Sequence, residues 1–296
     1  VGLQGLAQAE VAYQNAVDYA KDRVQGRSLN GAKAPEKVAD PIIVHPDVRR
    51  MLLDQKAFIE GARAFAYWTA FQGDLQHKSN DEKVQERAGD YMALLTPVVK
   101  AYLTHKGCES ANLGLQVHGG SGFTREWGME QFVRDSRITM IYEGTNGIQA
   151  LDLVGRKLAS NGGRAVFSFF AELEDFLGTA GDDAELQPFV EGLTTVKGQL
   201  QEGTNWLMQN GMSDFNNAGA SSHDYLHLFG LTALCFMWAR MAKVAIEKKA
   251  DGDPFYGEKL MTGQYFLDRM LPDAAAHLAK VKTGAKSMMA LSADQF

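Results

Sequence analysis

The sequence predicts an all-α protein, an antiparallel helical bundle whose helices are joined by short loops. Apolar residues recur at helical spacing in one stretch after another, and clusters of glycine, proline and asparagine punctuate those stretches. The run Ser79-Asn80-Asp81-Glu82 adds the capping chemistry expected at a helix start.

Leu3, Leu6, Val11, Val17 and Val24, with alanines between them, predict a first helix over about 3–24. Gly26, Gly31, Pro35, Pro41 and Pro46 break the pattern, so 25–46 reads as a long loop, functional or mobile. Helical spacing resumes from Asp47 to about Gln76, where Phe65, Tyr67, Trp68 and Phe71 read as core or subunit contact. A third helix runs from the 79–82 cap toward Lys106 with a kink at Pro97, and a fourth covers about 108–117. A short helix followed by strand-like residues then lies between two glycine-rich turns, His118–Gly122 and Gly144–Gly147. A fifth helix follows over 147–158. Asn161-Gly162-Gly163 is the clearest boundary, giving domains 1–160 and 161–296. Beyond it, helices are expected over 164–177, 183–212, 214–250 (with a break at 216–222), 258–271 and 273–282.

A net charge of −6 and a pI near 5.7 supply no basic field for nucleic acid or acidic lipid. Two cysteines, Cys108 and Cys235, make no disulfide framework and read as small core residues, with a reduced, cytoplasmic setting as the expectation. The most apolar run, 228–239, falls short of the roughly 20 residues of a membrane span and reads as a buried helix. No metal site is expected: His223 and His227, four apart on one helix, permit a metal pair but have no further ligand nearby in sequence.

Glu143 stands straight after the apolar run 138–142, at the mouth of the second glycine turn. Such a carboxylate can have an apolar wall on one side and backbone N–H donors on the other. Desolvation of that kind strengthens a carboxylate as a general base. The competing reading is an acid that favours the dipole of the helix that follows. Thr145 and Asn146 can cap that helix, or offer phosphate a hydroxyl and N–H groups.

The string QxxGGxGF…E…RDxRIxxIYEGTNxIQ, from Gln116 to Gln149, resembles the C-terminal signature of the flavin-dependent acyl-CoA dehydrogenases. Weaker similarity extends from Val1 to about Lys157. The remainder is similar to the tail of a C-terminally extended branch that includes 3-methylthiopropionyl-CoA dehydrogenases. The resemblance implies FAD as cofactor, an acyl-CoA substrate, and Glu143 as the base that removes the α-proton. Its own N–H would bond the thioester oxygen. Thr145 and Asn146 would meet the ribityl-phosphate portion of the flavin, with Gly147 where relatives often carry Gln or Glu.

By the same resemblance Gln116, Gly119 and Gly120 would touch the pyrophosphate of a neighbouring subunit's flavin. Arg23 would reach its adenosine diphosphate part, although Val24, Gln25 and Gly26 replace the usual aromatic-glycine pair. A homodimer or homotetramer is implied, with an electron-transfer flavoprotein as acceptor. An acyl-CoA oxidase shares the glutamate, and a non-catalytic helical interaction module is the reading from another class. His118 is read as a packing residue, and Arg134, Asp135 and Arg137 as scaffold whose spacing suits salt bridges.

Family members carry an N-terminal helical domain and a middle β-domain, which holds the isoalloxazine ring, ahead of this portion. The opening VGLQGLAQAEVA starts in mid-helix without a cap and reads as a cut from a longer protein. The isolated chain is therefore expected to bind flavin weakly or not at all and to lack dehydrogenase turnover.

Overall fold

The computed structural model describes every residue except Asp182 and Met212, so the last residue of the helix expected over 183–212 lies outside the described residues. Among the described residues the chain forms α-helices and no strand; Val24 and Pro41 make one isolated bridge. It divides into two compact units, Val1–Ala62 with Leu103–Glu143, and Arg63–Tyr102 with Gly144–Phe296. Two long helices, α2 (Pro46–Lys78) and α3 (Glu82–His118), contribute residues to both.

The first unit is built on α1 (Gly2–Asp22), whose buried face is a stripe of small residues: Gly5, Ala9, Ala12, Ala16 and Ala20. Small residues three and four apart let another helix come close. A Cβ on Gly5 would lie 2.6 Å from the Leu103 carbonyl oxygen, so the backbones of α1 and α3 touch there. Met129, at the start of α5 (Met129–Thr139), fills the space against Ala12 and Ala111. Met51, Leu52 and Val117 close the other end against Ala16 and Ala20.

The stretch after α1 is held by one buried acid rather than left loose. Asp40, fully buried, accepts from the backbone N–H groups of Ser28 (2.8 Å), Lys33 (2.9 Å) and Ala34 (2.7 Å), and from Arg27 at 3.2 Å. The Ser28 bond leads the contacts that pull the Asp40 carboxyl down to about 2.

The second unit centres on α9 (Phe215–Lys248), buried on every side from Tyr225 to Ala239. By length and composition α9 could cross a membrane, but 72% of its apolar window is buried inside the protein, as in a core helix. Around it pack α6 (Asn146–Asp152), α8 (Gln187–Asn210), α10 (Pro254–Arg269) and α11 (Asp273–Thr283). Trp68 meets Tyr91 and Phe169 at a tilt and Phe236 edge-on, joining α2, α3, α7 (Arg164–Thr179) and α9. Arg164 bonds Asp90 at 2.6 Å and Tyr91 donates to the Ser168 carbonyl at 3.0 Å, fixing α7 on α3.

Four expectations are corrected. The third and fourth predicted helices are one, α3, which carries Pro97 inside it. The strand-like residues 138–142 form the end of α5 and a turn. Helix α9 is continuous through 216–222, where Asp214 caps its start by accepting from the Asn216 N–H. Helix α10 begins at Pro254, not 258, with Asp253 as its cap. At 161–163 three successive residues adopt positive φ (50°, 67° and 84°), which ends one helix before α7 begins.

Candidate functional site

The first glycine turn forms because α3 ends at His118. Gly119 then takes φ 59° and ψ −138°, a conformation closed to residues with a Cβ. A one-turn helix, α4 (Gly120–Phe123), follows. Gln116, Gly119 and Gly120 are exposed, and a Cβ built on either glycine meets nothing within 4 Å. The turn therefore presents bare backbone.

An aromatic cluster sets where that turn lies. Tyr19 of α1 stacks on His118 with ring centroids 4.3 Å apart, and Trp127 meets both edge-on at 5.0 and 5.8 Å. The Tyr19 hydroxyl donates to Ser121 Oγ at 3.4 Å. Arg23, exposed and one helical turn beyond Tyr19, caps the end of α1. His118 Nδ1 faces the Gly114 carbonyl at 2.8 Å; a carbonyl only accepts, so Nδ1 carries the hydrogen. Burial lowers the pKa of this imidazole, so His118 packs as a neutral ring.

The second turn starts where α5 ends. Thr139 Oγ1 donates to the Ser136 carbonyl at 2.6 Å, and the Tyr142 hydroxyl donates to Gln4 Oε1 of α1. Glu143 then adopts φ 55°, one of two non-glycine residues with positive φ among the described residues. Gly144 follows at φ 79°, where a Cβ would also lie 2.6 Å from Gln149 Nε2. Thr145 is exposed and stands at the N-cap of α6 without a side-chain cap bond.

The turn is anchored from α3 by Lys100, which is buried. Its ammonium donates to the Gly144 carbonyl and to Asn146 Oδ1, each at 2.8 Å. Asn146 in turn donates to the Ala101 carbonyl at 3.2 Å. Burial pulls the Lys100 amine below its ordinary pKa. The Asn146 side chain thus points inward to α3, and only its backbone remains to face outward.

The apolar run 138–142 does not form a buried wall behind Glu143. Ile138, Ile141 and Tyr142 are 46, 50 and 37% exposed, and Glu143 itself is exposed. These side chains point out of the turn, because the segment is a helix end rather than a strand with a buried face. The bonds of Asp135 and Arg137 are local: Asp135 accepts from Gln131 at 2.7 Å and Arg137 reaches Met140 Sδ at 3.6 Å. His223 and His227 lie ring to ring at 4.4 Å, and His277, held by Asp224 at 2.7 Å, stacks on His227.

Lys100, Tyr19 and Trp127 were not singled out by the sequence. A lone lysine within the apolar stretch 94–103 was the signal available for Lys100. Tyr19 and Trp127 left no comparable mark, since aromatic residues at helical spacing usually mean core.

Residues 1–158 match the family model for the acyl-CoA dehydrogenase C-terminal domain. Residues 169–292 match one described as acetyl-CoA dehydrogenase C-terminal like. The chain belongs to the acyl-CoA dehydrogenase family. It is 38% identical to the 3-methylmercaptopropionyl-CoA dehydrogenase of Ruegeria pomeroyi over 99% of its own length and 50% of that protein. It is 31% identical to the broad-specificity linear acyl-CoA dehydrogenase FadE5 of Mycobacterium tuberculosis over 100% of its length, again 50% of that protein. The chain spans about half the length of the curated relatives it matches.

Among solved structures it superposes on Caenorhabditis elegans ACDH-11 in complex with C11-CoA. The TM-score is 0.71 at 18% identity, over 90% of this chain and 41% of that one. A Bacillus anthracis acyl-CoA dehydrogenase complexed with FAD gives 0.65 at 20% identity, over 95 and 47%. These likenesses establish the fold.

Proposed function

We propose that this chain is the C-terminal portion of an FAD-dependent acyl-CoA dehydrogenase and that Glu143 is its α-proton base. The backbone of Glu143 carries the reading. A non-glycine residue at positive φ costs roughly 1–3 kcal/mol and persists where the surroundings over-determine it, often at functional sites. Here Lys100 pins the Gly144–Thr145 peptide, one residue on, through the Gly144 carbonyl, and Tyr142 is tied to α1 just before Glu143.

The residues present fit a flavin dinucleotide in part. The bare backbone at Gly119 and Gly120, with Gln116 beside it, leaves room for a pyrophosphate, and Arg23 is an exposed cation one turn from Tyr19. Thr145 offers an exposed side chain at the second turn, whereas Asn146 would contribute backbone alone. When bound, FAD supplies the hydride acceptor.

Glu143 Oε would take the proton from the carbon next to the thioester carbonyl, and its N–H would face the thioester oxygen as negative charge develops there. The dry wall that makes this carboxylate strong enough as a base would come from the half of the parent that this chain lacks. Residues 1–160 would carry both turns, and 161–296 would form the helical extension.

Linear or methylthio-substituted acyl-CoA substrates, an electron-transfer flavoprotein acceptor, a homodimer or homotetramer and a cytoplasmic setting belong to the same proposal. The two curated relatives named above, both dehydrogenases acting on such thioesters, support the substrate class. Anaerobic addition of a panel of acyl-CoA thioesters to the full-length parent tests the reaction class. Bleaching of the flavin's visible band with one of them is expected. No bleaching with any thioester would overturn the assignment.

A further inference from the structure

The middle of α3 offers position 100 the surroundings of a hydrophobic residue. Leu94, Leu95, Val98, Ala101 and Leu103 are buried there, and Lys100 is 6% exposed. Methionine or leucine would fill the same space, whereas a buried ammonium is costly unless hydrogen bonds replace its lost water. What lysine alone supplies at this place is the set of bonds its ammonium makes.

Those bonds close a clamp. Lys100 Nζ donates to the Gly144 carbonyl and to Asn146 Oδ1, each at 2.8 Å, and Asn146 Nδ2 donates back to the Ala101 carbonyl at 3.2 Å. Three bonds between 100–101 and 144–146 fix both the place and the orientation of the start of α6. Glu143 is joined directly to Gly144, which sits at φ 79°. Glycine turns about its backbone bonds more freely than any other residue, so it is the soft joint next to the carboxylate. A clamp on the carbonyl of that glycine takes this freedom away.

We propose that Lys100 is a positioning residue for the α-proton step, acting through Gly144 to hold the Glu143 carboxylate in its place. The inference rests on Glu143 being the base. Displacing a reacting group by about 1 Å costs on the order of 10²-fold in rate, while the rest of the substrate binds as before. A lysine that only supported the fold would instead change stability and leave each folded, flavin-loaded molecule as fast as the parent.

Single-turnover flavin bleaching in the full-length parent, normalised to bound flavin, tests this. The probes are 3-methylmercaptopropionyl-CoA and the straight-chain thioesters from butyryl-CoA to hexadecanoyl-CoA, and the fastest is used with each variant. Lys100→Met is expected to bleach about 10²-fold more slowly than the parent, with the half-saturating thioester concentration within about twofold. Asn146→Leu, which removes one acceptor of the clamp and the return bond, should also be slow. The double variant should be no slower than the slower single one, because both break the same device. A parental rate in Lys100→Met would overturn the inference, as would single effects that multiply in the double variant. Should Lys100→Met retain no flavin, Asn146→Leu decides, and a parental rate there would overturn the inference. In these cases the parent still bleaches and Glu143→Gln does not, so the reading of Glu143 stands. A parent that no probe bleaches, or an unimpaired Glu143→Gln, would overturn that reading and this inference with it.

Discussion

Lys100 Nζ and Asn146 Oδ1 stand 2.8 Å apart across 46 residues of sequence, both buried, and the same ammonium holds the Gly144 carbonyl. One α3 side chain therefore fixes the Gly144–Thr145 peptide, one residue beyond Glu143. Burying a cation is costly unless it is hydrogen-bonded, so this pairing commits the turn to one position.

Replacing Lys100 with Met should expose what that bond contributes. Gly144 keeps a weaker partner in Gln149 Nε2 at 3.3 Å, but Asn146 Oδ1 loses its ammonium donor inside the protein. Loss of a buried donor of this kind costs about 1–3 kcal/mol per stranded acceptor. Urea unfolding of the chain should show a loss of that size, and an unchanged midpoint would mean that the bond holds nothing.

Gly144→Ala combines a φ of 79° with a Cβ placed 2.6 Å from Gln149 Nε2. The backbone term alone is roughly 1–2 kcal/mol for an L-residue forced into the left-handed region. Gln149 can swing aside, since its flexible end makes the contact. The expected result is a modest fall in melting temperature with a larger fall in kcat of the parent enzyme, because the displaced peptide adjoins Glu143. A variant with full kcat would separate Gly144 from the chemistry.

Asp40 makes stability depend on acid pH. Its native pKa of about 2, set first by the Ser28 N–H, lies below the ordinary carboxylate value of roughly 3.9. A depressed carboxylate contributes stability in full above its unfolded value and loses it as pH falls through the native one. Asp40→Asn should therefore melt below the parent at pH 7, and the gap should close between about pH 4 and pH 2. A gap that stays constant with pH would assign the effect to shape rather than charge.

Helical spacing made most of this fold legible, because burial on one face of a helix leaves a periodic trace. The trace fails where a helix is buried by backbone instead. Gly107 and Gly5 bring α3 and α1 into contact, so the place where two helices were expected to meet is a contact point within one helix. The string around Glu143 pointed to the residue, but not to its surroundings. Ile138 and Ile141 are exposed although the run is apolar, and Lys100 lies 43 residues away from Glu143 in sequence. Asp40 sits in a loop whose composition suggested mobility, yet three N–H bonds to one carboxylate order it.

The central claim is that Glu143 takes the α-proton, and Glu143→Gln in the full-length parent tests it most directly. The variant keeps the size and the turn but lacks a base. Turnover with the thioester that bleaches the parent's flavin should fall by roughly 10³-fold or more, while flavin content stays stoichiometric. Turnover near the parent's, with flavin bound, would contradict the assignment of Glu143.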